Sequence, residues 1–194
     1  VPDTLSTLTA PATTGPWDST ELPDLEATPG HAPRHGLDTV VDAVSAHIEV
    51  PREFAADVRL SSADGDVPDT MLFTTADGVT CAVSVLAEPV GESRWETGLA
   101  EQTVATLTGD TPAPVTQVAG PLGTEVHVTD AGTLRFARLC ADGPRWTALV
   151  TVFGDIVAEH HLDAARTLLA SMVVFRGRAA CGPDTPLSMQ LVRP

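Results

Sequence analysis

Residues 119–153 read AGPLGTEVHVTDAGTLRFARLCADGPRWTALVTVF. Two turn signals, Asp130-Ala131-Gly132 and Ala141-Asp142-Gly143-Pro144, divide the stretch into three apolar runs. An Asp or Ala followed by Gly between such runs marks a hairpin, because Gly supplies the positive φ that tight turns require. The third run decides the fold. In an extended chain Trp146, Ala148, Val150 and Val152 fall on one side, with Leu149 and Phe153 on the other. A strand that is apolar on both sides is covered on both sides. The pattern predicts a central strand over residues 145–153, reached by a hairpin of residues 124–129 and 133–139 across a three-residue loop.

On the N-terminal side, Ile48 and Val50 alternate with His47 and Glu49, the period of a half-buried strand. Val58 and Leu60 start another strand. Residues 71–75 and 79–87 form a hairpin across Ala76-Asp77-Gly78. The period then changes: Trp95, Leu99, Ala100, Val104 and Leu107 share one face of a helix of about four turns. Ser93 and Glu96 are spaced to cap its start, and Gly109 ends it. Val115–Val118 is a short strand. On the C-terminal side, Leu162, Ala165, Leu169 and Met172 mark a second helix over residues 157–171, followed by a last strand at 173–175. The expected fold is α+β, a twisted and mainly antiparallel sheet of six to eight strands with two main helices packed on it. That element order is similar to the PsbP-type α/β/α sandwich. Residues 1–36 hold six of the 16 prolines and little to bury, so they read as an irregular acidic arm. The domain spans 37–178, and 179–194 is an extended, Pro-broken tail.

Composition bounds the function. The 194 residues carry a net charge of −15, with 26 acidic and 11 basic side chains. Nucleic-acid binding needs a basic surface that releases counterions, so no nucleic acid is expected as a partner. An anionic membrane is disfavoured for the same reason, and no apolar run reaches the ~18 residues of a membrane helix, so no membrane insertion is expected. Every basic residue is Arg, and Lys and Asn are absent, a bias expected of a GC-rich genome such as an actinobacterium. The start VPDTLSTLTAP has neither the charge nor the apolar core of a secretory leader. Cys81, Cys140 and Cys181 are odd in number and widely spaced, which suits neither a disulfide framework nor a zinc site. A cytoplasmic location with buried, reduced thiols is expected.

Three segments carry a resemblance. They are Gly15-Pro16-Trp17-Asp18; the run from Gly120 to Val126 with Leu134-Arg135-Phe136 and residues 142–146; and Val173 to Gly177 with Thr185-Pro186-Leu187 and Leu191. In order and spacing the chain resembles, from about residue 15 to 194, the actinobacterial family called domain of unknown function 3710. Members often have Trp where this chain has Leu122. The resemblance implies a single cytoplasmic domain and brings no reaction with it.

The remaining candidates are individual residues. Trp17 is a large apolar ring in a polar arm and is expected to dock on an apolar surface. With a three-residue loop, His127 would face Arg135 with Glu125 diagonal, a possible ligand or partner contact. Arg145 beside Trp146 sets a cation against an indole. Asp155, Glu159 and Asp163 form an acidic row around His160 and His161, but on a helix His160 projects about 100° away from Glu159, and acids at a helix start have a simpler electrostatic role. No metal, cofactor or catalytic residue is therefore expected. P-loop, nucleophile-elbow and dinucleotide motifs are missing. The leading expectation is a non-catalytic module that binds a protein partner or a second copy of itself. The alternatives are a small-ligand carrier with a pocket between helices and sheet and, third, an enzyme.

Overall fold

The two-sided apolar run becomes the middle of a seven-stranded antiparallel sheet. The computed structural model describes residues 16–18, 39–54, 57–62, 67–89, 94–176 and 181–192. In chain order the strands are β1 (Trp17–Asp18), β2 (Thr39–Asp42), β3 (Ala46–Val50), β4 (Asp57–Ser61), β5 (Thr70–Thr74), β6 (Thr80–Ala87), β7 (Val115–Gly120), β8 (Gly123–Asp130), β9 (Thr133–Asp142), β10 (Trp146–Phe153) and β11 (Val173–Val174); the helices are α1 (Ala100–Asp110) and α2 (Glu159–Ser171). The large sheet runs β4-β5-β6-β10-β9-β8-β7. The Pro-rich arm expected over 1–36 falls almost wholly outside the described residues.

The register assigns each side chain a face. Met71, Phe73, Val83, Val85, Leu139, Val150 and Val152 share one side, all buried, and α2 covers it with Leu162, Ala165 and Leu169. Val126, Cys140 and Leu149 point the other way and pack against Trp95, Leu99, Ala100, Val104 and Leu107. The two helices thus lie on opposite faces, in an α/β/α layering.

Three details differ from the sequence reading. First, the strands at 46–50 and 173–174 do not join the large sheet. With β1 and β2 they form a second sheet, β1-β11-β3-β2. Alternation predicts a strand but not its partner. All five β3 residues are buried, because β3 and the 3-10 turn at Arg52–Phe54 pack on the far side of α2, where the Ser171 hydroxyl donates to the Glu49 carbonyl at 3.4 Å. Second, the first helix opens with a π-type turn, Trp95–Leu99, interrupted at Gly98. Ser93 lies outside the described residues. Glu96 caps nothing in its own helix; its carboxylate accepts the Thr124 N–H and hydroxyl, each at 2.9 Å. Third, the β8–β9 turn has two residues, Ala131 and Gly132, both at positive φ (47° and 80°). A bulge follows between Val128 and Thr129, so His127 pairs with Ala137 and Arg135 is the unmatched residue.

Burial separates the cysteines. Cys81 and Cys140 are 0% and 2% exposed, and burial pushes both thiols well above their ordinary range. Cys181 is half-buried. A thiol reagent is expected to label one cysteine per chain in the native state, Cys181, and three after unfolding. Rapid native labelling of Cys81 or Cys140, read by peptide mass spectrometry, would contradict this.

Candidate functional site

The strongest cluster of ionisable groups among the described residues lies where a side chain of α2 reaches β8. Glu125 points toward α2 and is 3% exposed. Its path runs over Gly120, whose position leaves no room for a Cβ: one built there would sit 2.2 Å from Glu125 Oε1. Arg166 meets the carboxylate with two parallel bonds, Nε to Oε1 at 2.9 Å and Nη2 to Oε2 at 3.0 Å. This fork geometry is the strong form of the pair. Arg166 Nη1 also holds Glu159 and Asp163, each at 2.9 Å. His127, two residues along the same face, sets Nε2 2.9 Å from Glu125 Oε2. Burial by itself would push the Glu125 carboxyl up; the bonds to His127 and Arg166 outweigh it and hold the carboxyl below the usual range. The Glu125 carboxylate raises the Arg166 guanidinium above its own.

The sequence pairing of Glu125 with His127 is therefore present, but its arginine is Arg166 instead of Arg135. The bulge turns Arg135 aside, to Asp130 at 3.6 Å. A carboxylate–imidazole pair is a common proton-transfer unit. Here, however, both carboxylate oxygens are committed to a guanidinium, and the arrangement ties α2 to the sheet. Arg166 follows Asp163 by three residues and Glu159 by seven, so the three share one helix face. That spacing is the only sequence signal that pointed to it.

The other candidates divide. Trp146 is 1% exposed and part of the core, folded over Gly143. Arg145 is exposed; its carbonyl accepts the Glu88 N–H at 2.8 Å and Arg176 Nε at 3.3 Å. Nearby, Arg94 bridges Glu88 and Asp184, and Glu88 Oε1 is buried without a hydrogen bond. Burial pushes Glu88 up despite Arg94. Sequence reasoning missed this corner because three separate loops build it. The backbone of Trp17 pairs in parallel with Val173, while its indole, and so the docking expected of it, lies outside the described residues.

Of the acidic row, Glu159 and Asp163 serve Arg166. A different trio meets at the start of α2: ligand-type atoms of Asp77, His160 and His161 lie within 4.8 Å of one another. His161 Nδ1 accepts the Ala158 N–H at 3.2 Å, which places the ring proton on Nε2, 3.3 Å from Asp77 Oδ2. A metal would need Nε2 bare and would force a proton onto Nδ1, against the Ala158 N–H. The trio works as a latch between the β5–β6 turn and the helix start.

These contacts account for the motif of residues 120–126. Gly120 makes way for Glu125. Gly123 takes φ 127° at the turn. Thr124 binds Glu96 through N–H and hydroxyl and accepts the Trp95 indole N–H at 2.7 Å. Val126 enters the core. Asp142 does likewise for residues 142–146, accepting the Trp95 N–H at 3.0 Å and the Thr147 hydroxyl at 2.6 Å. The described helices include none long and apolar enough to cross a membrane. Comparison with curated proteins and with solved structures returns no match to this chain. A family profile does match, over residues 15–194, nearly the whole length, and the chain belongs to the family described as "Protein of unknown function (DUF3710)".

Proposed function

We propose that the protein is a non-catalytic association module of a reducing, cytoplasmic compartment, and that β7 is its contact. One observation carries the reading. β7 ends the large sheet, pairs only with β8 among the described strands, and has the uncharged sequence VTQVAG. Thr116, Gln117, Val118 and Ala119 are all exposed. The opposite edge, β4, carries Asp57 and Arg59 within the strand, the usual guard against edge pairing. An unguarded edge accepts an added strand through its free backbone groups. In a chain of net charge −15, an uncharged edge lets a second copy approach antiparallel about a two-fold axis without setting like charges face to face. The occupant is a second copy of the chain or one strand of another protein.

The test is sedimentation velocity on the wild type and Gln117→Glu. Gln117 is exposed and lies on the face away from Glu125, so the variant is expected to melt within about 1 °C of the wild type. The wild type is expected to dimerise at tens of micromolar, and Gln117→Glu, which brings two carboxylates together across the axis, to run as a monomer. An unchanged mass distribution would remove β7 as the contact.

A further inference from the structure

The side of the large sheet opposite α2 is only partly covered. α1 lies over β7 and β8. Toward β5, β6 and β10 the same face stays half-exposed: Leu72, Ala82, Ser84, Leu149 and Phe136 are all intermediate and Phe153 is 40% exposed. The register puts Arg138, Thr151, Ala82 and Leu72 in one row across four strands, with Phe136 and Phe153 in the next. On that face the Arg138 row and the Phe136 row hold no Asp or Glu from β9 to β5, and the acid further along β9, Asp142, is engaged by the Trp95 N–H and the Thr147 hydroxyl.

Arg138 stands out in this patch. Its Nε donates to Thr151 Oγ1 at 3.1 Å, and its guanidinium lies 5.6 Å from the Phe136 ring centre. Among the described residues no carboxylate reaches it, whereas Arg94 and Arg166 each meet one that is buried. Burial pulls the guanidinium below its usual range, and no carboxylate offsets that. The two terminal nitrogens remain free to bind an anion bidentately. Because Thr151 Oγ1 accepts from Nε, its own proton is free to donate to the same anion.

We propose that this patch binds an amphiphilic carboxylate, with Arg138 and Thr151 holding the anionic group and Phe136, Phe153 and Leu72 lying under the apolar body. One guanidinium and one hydroxyl match a single negative charge. A phosphate dianion or an acidic peptide brings more charge than the site offsets and meets the repulsion of a −15 chain. The flat apolar floor adds what a bare anion site lacks.

The probes are octanoate, its neutral amide and inorganic phosphate, titrated by calorimetry and ligand-observed NMR into the full chain. Octanoate is expected to bind with Kd on the order of 1 mM or tighter, and the amide and phosphate at least ~10-fold more weakly. Arg138→Gln is expected to weaken octanoate ~10-fold or more, and the near-isosteric Thr151→Val to weaken it without altering the melt. No octanoate binding at ~10 mM, equal binding of octanoate and its amide, phosphate binding as tight as octanoate, or undiminished binding in either variant would each overturn the proposal. The amide comparison uses the unaltered protein, so it stands even if Arg138→Gln fails to fold.

Discussion

Replacing Arg166 with alanine is expected to cost about 3 kcal/mol near neutral pH, because it strands a buried carboxylate. For a domain of this size that is a fall in melting temperature of roughly 6–12 °C. The sign of the pH dependence separates this from simple loss of packing. In the wild type the Glu125 carboxyl is held below its unfolded value, so its stabilising contribution is complete above the unfolded pKa and disappears as pH falls through the folded one. Without Arg166, only His127 still opposes burial, and the folded value rises from its wild-type position. The variant therefore loses less stability than the wild type as pH falls. The gap between them should be widest near pH 7 and narrow toward about pH 4. Urea unfolding at the two pH values measures it. Glu125→Leu combined with Arg166→Met, which removes both charges, should recover much of the loss. A gap independent of pH would show that the pair contributes only through its packed methylenes.

Gly143→Ala is expected to destabilise by about 2–4 kcal/mol. A Cβ at Gly143 would lie 2.1 Å from the Trp146 indole, and the ring, 1% exposed, has nowhere to go except out of the core. Gly143 is not at positive φ, so the whole cost is steric. Two other glycines calibrate the result. Gly132 has φ 80° and open space, so Gly132→Ala should cost only the left-handed strain, about 1 kcal/mol. Gly109 lies in α1 with nothing near its would-be Cβ, so Gly109→Ala should gain up to about 1 kcal/mol. Thermal melts give the order, and near-UV circular dichroism should show a changed indole signal in Gly143→Ala alone. If Gly143→Ala melts like Gly109→Ala, the ring is not seated as described.

What could be read from the chain and what could not divide along physical lines. The central place of β10 was legible, because burial on both faces leaves its mark on every residue of the strand. The hairpins were legible from their glycines. The number of turn residues was not: Asp130-Ala131-Gly132 fits a two- or a three-residue loop, and neither the two-residue turn nor the bulge at Val128/Thr129 leaves a mark in the sequence. The shorter turn and the bulge each shift the pairing by one residue, and together they moved His127 from Arg135 to Ala137. Arg166 was out of reach for a different reason. Its partner is 41 residues away, and a charged residue on a helix face reads as solvated unless the packing of that helix is known. The second sheet hid in the same way, since apolar alternation at residues 46–50 is the same whichever sheet the strand joins. The Arg138 patch was not legible because it is defined by acids that are missing from two rows across four strands at once.

The pairing of β1 with β11 also bears on the order in which the chain is made. Every strand of the large sheet lies between Asp57 and Phe153, so that sheet can close before the residues that follow Phe153 have left the ribosome. The second sheet closes later, because Trp17 and His47 wait for Val173, which follows every strand of the large sheet. Throughout that interval β3, which the finished fold buries along its whole length, lacks its β11 neighbour, and an unpaired strand edge of this kind is what chaperones shield during synthesis.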